Sequence, residues 1–206
     1  MDDVMTITFL GTGTSQGIPI IGSNHPVCLS SDPKDKRLRV SVLISWNGFY
    51  YVIDCGPDFR QQMLTNPIPK LDGILFTHEH ADHTAGIDDI RPFFFRQGDI
   101  PIYAHERVVQ SLKRRFDYIF ADEDRYPGAP AVKVNLVEKN SPLKLEGLEV
   151  IPIEAYHNRL PVFGYRFGDF VYLTDVKRER RSNGKNRQCK GLGNQCTAER
   201  TSSFTF

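Results

Sequence analysis

The sequence has no apolar run long enough to cross a membrane, and it has little cysteine. Residues 1–3 lead directly into a short alternating segment, so no signal-peptide core is indicated there. The four cysteines show no spacing typical of a disulfide scaffold: Cys28, Cys55, Cys189 and Cys196. These absences argue against a membrane-spanning or disulfide-rich secreted protein. We therefore expect a cytoplasmic protein without a membrane partner.

The sequence also lacks an overall excess of charge of one sign, since its net charge is +1. The distribution is uneven: residues 177–206 contain eight Lys/Arg and two Asp/Glu, a local charge of +6, which leaves −5 for residues 1–176. An acidic body does not favour a dedicated nucleic-acid surface, although a nucleic-acid partner stays open. A chain of 206 residues with 40% hydrophobic residues can form one domain with an adequate core.

The strongest chemical signal lies in residues 77–83, which follow a short apolar run at 71–76. Three of the six histidines and one aspartate fall within six residues: His78, His80, Asp82 and His83. The apolar run predicts a buried strand, and ligands on the loop after a strand are typical of α/β active sites. Imidazole with carboxylate suits zinc, with manganese, iron and nickel as alternatives. The segment therefore predicts a metal site.

The motif His78-x-His80-x-Asp82-His83 resembles the metal-binding signature of the metallo-β-lactamase fold superfamily. Three further segments narrow the resemblance: Gly-Thr-Gly-Thr-Ser-Gln-Gly-Ile-Pro at 11–19, Asp-Cys-Gly-Pro-Asp at 54–58 and Gly-Ile-Asp-Asp-Ile-Arg at 86–91. They resemble the RNase Z-like branch, and more closely the phosphoribosyl cyclic phosphodiesterases of phosphonate breakdown. The resemblance covers about residues 6–176. It implies an αββα sandwich, apparently truncated in its C-terminal half.

The resemblance also assigns roles in a site for two divalent metal ions. His157 and Asp175 each follow an apolar run, and the resemblance implies that His157 completes the first metal site and that Asp175 bridges both metals. Asp82 is expected to bind the second metal and to orient or deprotonate the nucleophile. Asp54 ends a predicted strand, where a carboxylate often accepts hydrogen bonds from a ligand loop.

Other candidates have competing interpretations. Arg91 can reach a substrate phosphate, or it can pair with Asp88 or Asp89 on its own helix. Relatives carry three zinc-binding cysteines at Cys-x-Cys-x-x-Cys spacing, where this chain has Ser23, His25 and Cys28. Because serine is a poor zinc ligand, we expect a loop without metal there.

Local signals predict most of the elements. Asn47-Gly48 between two apolar runs indicates a tight hairpin. We expect irregular structure at 21–33, a helix at 84–95 interrupted at Pro92, and a helix at 106–120 preceded by His105 as a loop or cap residue. The glycines at 11–17 favour close backbone approach over phosphate binding, and Cys55 is expected to be a small buried apolar residue.

The tail at 177–206 departs from the resemblance. No histidine follows His157, so the last ligand of the second metal has no counterpart. The tail is basic, dotted with glycine and without helical or strand periodicity. We predict a domain at 1–176 and a tail that is disordered or translated out of frame. A basic arm that binds nucleic acid is the alternative, and a metal held by Cys189 and Cys196 is less favoured.

The function predicted from these features is a metal-dependent hydrolase, foremost a phosphodiesterase for a small or cyclic nucleotide-like substrate. Endonuclease action of the tRNA 3′-processing type and hydrolysis of a thioester or lactone are alternatives on the same fold. From another class, the chain could be an inactive, truncated metal-binding relative. Its assembly, including a homodimer, stays open.

Overall fold

The computed structural model describes residues 4–121, 123 and 125–177, together with the backbone of strand Thr197–Arg200. The chain divides into two compact units, Met1–Val137 and Glu138–Phe206. The sequence did not predict a division within residues 1–176, and the boundary proposed after Val176 stays a prediction. In the described part of the chain, no helix is long and apolar enough to cross a membrane.

The first unit contains a six-stranded sheet with the strands in chain order. Its strands are β1 (Thr6–Gly11), β2 (Ser41–Trp46), β3 (Phe49–Ile53), β4 (Gly73–Leu75), β5 (Ile100–Ala104) and β6 (Val132–Leu136). Strands β1 to β3 pair antiparallel, whereas β3 to β6 pair parallel. Parallel strands end at the same edge of the sheet, so the segments after β3 and β4 emerge side by side.

The described helices are α1 (Pro26–Leu29), α2 (Phe59–Thr65), α3 (Ala81–Thr84), α4 (Arg91–Gln97) and α5 (Glu106–Arg115). One continuous core joins the sheet to α2, α4 and α5. On α5 the buried side chains are Val108, Val109 and Leu112, which share a cluster with Ile74 and Ile102 of the sheet. Each such side chain contributes about 1.5–3 kcal/mol on burial. The core therefore fixes α5 against the sheet that carries the predicted ligand loop.

The predicted hairpin is confirmed, because Asn47 and Gly48 both take positive φ angles, 48° and 78°. The helix predicted at 84–95 is wrong in its layout. A 3₁₀ turn at Ile87–Ile90 is followed by α4, which begins at Arg91. Pro92 lies in the first turn of α4 rather than interrupting a helix, because proline's missing N–H has no partner to lose there.

The irregular structure predicted at 21–33 is only partly correct. Helix α1 forms one turn, because the His25 ring accepts a hydrogen bond from the Val27 N–H and Pro26 occupies the first position. A 3₁₀ turn follows at Pro33–Asp35. Helix α5 ends at Arg115 rather than at 120, and a 3₁₀ turn at Asp117–Ile119 replaces its predicted end.

The second unit contains a five-stranded antiparallel sheet in the order β11-β10-β9-β8-β7. Its strands are β7 (Leu143–Leu145), β8 (Leu148–His157), β9 (Leu160–Phe167), β10 (Phe170–Leu173) and β11 (Thr197–Arg200). Strand β8 runs on to His157 because it pairs with β9 up to the turn at 158–159. Strand β11 lies in the tail, where the sequence predicted no strand, and it forms by pairing with β10. The tail's cysteines lie outside the described residues.

Close backbone packing at Gly86 generates a testable prediction. A Cβ atom on Gly86 would collide with the Gly56 carbonyl oxygen and the Phe59 side chain. We expect Gly86→Ala to lower the free energy of unfolding by about 3 kcal/mol, because the backbone must move to admit the methyl group. Urea unfolding measures the change.

Gly48→Ala is the matched control. Its φ is 78° in the hairpin turn, and a Cβ there meets nothing within 4 Å, so only about 1 kcal/mol of backbone strain is expected. Equal losses in the two variants would contradict the packing argument.

Candidate metal centre

The ligand loop leaves β4 and is held against the segment that leaves β3. The Asp54 N–H donates to the Leu75 carbonyl at 3.0 Å, and the Cys55 N–H donates to the His83 carbonyl at 2.8 Å. The Gly86 N–H returns a bond to the Cys55 carbonyl at 2.9 Å. The backbone at 54–56 is therefore bonded to the loop on both sides of α3.

Asp54 is the fully buried carboxylate at the centre of this arrangement. Its Oδ1 accepts a hydrogen bond from the Thr77 N–H at 2.8 Å. Its Oδ2 accepts one from the Thr77 hydroxyl at 2.8 Å and lies 2.6 Å from His83 Nδ1. The φ angle of Asp54 is 62°, a left-handed conformation that costs of order 1 kcal/mol for a non-glycine residue. The predicted role of Asp54 agrees with this geometry.

The hydrogen-bond network assigns the proton positions on two histidine rings. The Asp54 carboxylate only accepts, so His83 carries its proton on Nδ1 and presents an Nε2 lone pair. The Thr77 hydroxyl gives its single proton to Asp54 and therefore accepts from His78 Nδ1, which lies 3.0 Å away. His78 then also presents an Nε2 lone pair. One buried carboxylate thus prepares two imidazoles as metal ligands.

The prepared nitrogens face the other two predicted ligands of the loop. His78 Nε2 lies 3.0 Å from His80 Nδ1, and His83 Nε2 lies 3.3 Å from Asp82 Oδ2. The ring centroids of His78 and His83 are 4.1 Å apart. The donor set and its converging atoms fit a divalent metal site, because neutral imidazole nitrogens and a carboxylate are the ligands that zinc and its neighbours prefer.

In the second unit, the two remaining predicted ligands lie at one end of the sheet. His157 is the last residue of β8, and Asp175 follows β10 with a φ angle of 56°. Their ligand atoms lie within 4.8 Å of each other. Lys177 holds this end together, since its N–H donates to the Tyr156 carbonyl and its carbonyl accepts from the Asn158 N–H, both at 2.8 Å.

Arg91 is engaged with its own helical neighbour. Its Nη2 lies 2.6 and 2.7 Å from the two carboxylate oxygens of Asp88, and the Tyr118 hydroxyl donates to the same carboxylate. Burial, together with this bond to Asp88, raises the pKa of Tyr118 to about 12. Arg91 therefore pairs with Asp88, which was one of its two predicted roles. Contact between Arg91 and a substrate phosphate stays a prediction.

The remaining candidates have structural roles. His25 caps α1, and His105 caps α5 by accepting the Arg107 N–H at 3.2 Å, as expected of a cap residue. The Cys28 sulfur accepts the Ile20 N–H at 3.5 Å, and hydrogen bonding with Ser23 lowers the pKa of its thiol. Burial raises the pKa of Cys55 well above its usual value, which agrees with a buried apolar role. A Cβ on Gly11 would collide with a neighbouring backbone carbonyl, so close approach is confirmed there.

Several residues around the loop were not predicted from the sequence. The Thr77 hydroxyl links the Asp54 carboxylate to the His78 ring by hydrogen bonds. Around the loop, Arg107 bonds to Glu79, and Arg115 bonds to Glu79 and Thr84. For Thr77, the local signal is a hydroxyl side chain directly before the first histidine of the motif. The arginines lie on α5 and carry no local signal.

The chain has sequence relatives among known proteins. The chain is 42% identical over 174 residues to the octanoyltransferase of Porphyromonas gingivalis, covering 84% of this chain and 35% of that protein. It is 27% identical over 176 residues to ribonuclease Z of Methanocaldococcus jannaschii, covering 80% of this chain and 47% of that protein. The chain thus spans a third to a half of the length of these curated relatives.

Among solved structures, a diphosphatase from the PhnP family matches with a TM-score of 0.74 and 41% sequence identity. The match covers 82% of this chain and 65% of that chain. Residues 50–188 also match the family described as the β-lactamase superfamily domain. The members of this fold family are hydrolases that bind metal ions, in agreement with the converging histidine and aspartate side chains on the loop after β4. The chain therefore belongs to the β-lactamase superfamily domain family and has the metallo-β-lactamase fold.

Proposed function

We propose that this chain carries the catalytic site of a metal-dependent phosphodiesterase for a small or cyclic nucleotide-like substrate. The observation that carries the proposal is the Asp54 network, which leaves the Nε2 lone pairs of His78 and His83 facing His80 and Asp82. Such a network prepares ligands for a cation, because it sets the tautomers before any metal binds. Similarity to a PhnP-family diphosphatase at 41% identity supports chemistry at a phosphorus–oxygen bond.

The proposed ligand set follows the order of the motif. His78, His80 and His157 would hold the first metal, Asp82 and His83 would hold the second, and Asp175 would serve as a ligand of both. Zinc suits this mixture of imidazole and carboxylate, and manganese, iron or nickel are alternatives. Each histidine must bind through an unprotonated nitrogen. The hydrogen bonds of His78 and His83 hold a proton on Nδ1, so Nε2 is the nitrogen that each ring offers to a metal.

Divalent ions in such a site make a water acidic enough to supply hydroxide near neutral pH and offset the charge that develops on a phosphodiester. The chain's own contribution is to hold the reacting groups and to move the proton. Asp82 is mostly buried, with its side chain 14% exposed, and its carboxylate is directed at His83 Nε2. We assign Asp82 the role of orienting the attacking water and accepting its proton.

Two other activities on this fold are the outcomes against which the proposal is tested. Similarity to ribonuclease Z favours cleavage of a tRNA precursor as the second candidate. Hydrolysis of a thioester or lactone is the third. This chain covers only 35% of the octanoyltransferase, so the activity in that protein's name does not extend to this chain.

Metal content and turnover test the proposed function. Freshly purified protein is expected to contain about two metal ions per chain and to hydrolyse bis(p-nitrophenyl) phosphate when zinc or manganese is added. His80→Ala is expected to lose metal and to lower turnover by at least about 100-fold, because a ligand is removed. Elemental analysis and the release of p-nitrophenol measure the two effects.

His105→Ala is the control, because it removes a histidine that caps α5. It is expected to cost about 1 kcal/mol of stability and to leave metal content unchanged. Turnover of a tRNA precursor or a thioester, without turnover of any small phosphodiester, would sink the proposed substrate class. Protein without metal or turnover would support the inactive relative.

The hydrogen bonds around Asp54 are tested by the substitution Asp54→Asn. It replaces one accepting oxygen by an NH₂ group, so the amide cannot accept all three bonds, from the Thr77 N–H, the Thr77 hydroxyl and His83. We expect zinc affinity to fall by about 10- to 100-fold. Competition with a chromophoric chelator measures the affinity.

The nearby Asp58→Asn is the matched control. Asp58 accepts from the Arg39 N–H and guanidinium rather than from the ligand loop. Zinc affinity is expected to stay as in the unmodified protein. An Asp54→Asn protein with unchanged affinity would show that the network is dispensable.

A further inference from the structure

Helix α5 contacts the ligand loop at two points through the α5 arginine pair, Arg107 and Arg115. Arg107 Nε donates to Glu79 Oε1 at 2.8 Å. Arg115 Nη2 donates to the Glu79 carbonyl at 3.2 Å and to the Thr84 hydroxyl at 2.9 Å. Eight residues of helix span about 12 Å, and residues eight apart lie close to one face. The pair therefore contacts the loop on both sides of His80, at Glu79 and at Thr84.

Thr84 carries the contact of Arg115 through to a predicted ligand. Its hydroxyl accepts from Arg115 and donates to the His80 carbonyl at 2.8 Å. These two bonds fix the His80 carbonyl, and the separate bond from Arg115 fixes the carbonyl of Glu79, the residue before it. The direction of the His80 side chain follows from this backbone, because Cβ is placed by the backbone dihedral angles.

The ligands of the loop are thus held in two different ways. His78 and His83 are fully buried and are bonded to the network around Asp54. His80 is the N-terminal cap residue of α3 and is exposed. The Asp54 network contacts the rings directly, whereas Arg115 acts on the backbone from which the His80 ring projects.

We propose that Arg115, supported by Arg107, is a positioning residue that keeps His80 in its ligand geometry. The α5 core anchors the guanidinium, since Val108, Val109 and Leu112 are buried against the sheet. Arg115 itself needs no contact with metal or substrate for this role. The inference rests on the proposed metal-dependent function, and it adds a requirement that lies outside the motif.

The test compares Arg115→Ala with Arg114→Ala on the full chain. Arg114 is the adjacent exposed arginine of the same helix, and none of the loop contacts described above involves it. Zinc affinity is measured by chelator competition, and thermal unfolding is measured on protein stripped of metal. We expect Arg115→Ala to weaken zinc binding about 10-fold or more. Arg114→Ala should bind as the unmodified protein, and the two stripped variants should unfold within a few degrees of each other.

A conservative variant and a double-substitution cycle separate positioning from general stability. Arg115→Lys keeps one donor and should recover part of the affinity. Thr84→Val removes the hydroxyl that links Arg115 to His80. The affinity loss of the double variant should therefore be smaller than the sum of the two single losses.

Two results would overturn the inference: unchanged zinc affinity in Arg115→Ala, or lower thermal stability without any change in affinity. Failure of the proposed function looks different. Unmodified protein that binds zinc but hydrolyses no phosphodiester removes the function, while an Arg115-specific loss of affinity still supports the positioning role. Unmodified protein that binds no zinc removes both.

Discussion

The buried carboxylate of Asp54 is the constraint on which the candidate metal centre depends. Moving a carboxylate out of water is costly unless donors surround it, and here three donors do so: two from Thr77 and one from His83. Hydrogen bonds to a charged group contribute about 1.5–3 kcal/mol each, enough to offset the left-handed backbone of Asp54. The same bonds set two tautomers, so the stability of the loop and the preparation of its ligands share one cause.

Strand pairing in the sheet places Asp54 next to the loop. Strands β3 and β4 are parallel neighbours, so the residues after them emerge at one edge. The backbone of 54–56 and that of 82–86 then approach so closely that glycine is required at 56 and 86, because a Cβ at either would collide with a carbonyl of the other segment. Close approach puts the Asp54 carboxylate within hydrogen-bond distance of Thr77 and His83.

The sequence predicted some of these elements closely and others poorly. The Asn47-Gly48 hairpin was predicted closely, because its turn residues specify it. Helix α1 was missed since one histidine cap and one proline, His25 and Pro26, override a segment rich in turn formers. Strand β8 extends to His157 and strand β11 exists because each has a partner strand, and pairing cannot be read from the strand's own residues.

The candidate site divides in the same way. The sequence by itself determined the types and order of the predicted ligands, since histidine and aspartate at this spacing after a buried strand carry their chemistry in the residues. It also pointed to Asp54, because a carboxylate at a strand end often accepts hydrogen bonds from a ligand loop. Only the tertiary structure decided which ring nitrogens are available and that Arg107 and Arg115 grip the loop. Those contacts join residues more than 20 positions apart, and hydrogen bonds of that range depend on packing rather than on local pattern.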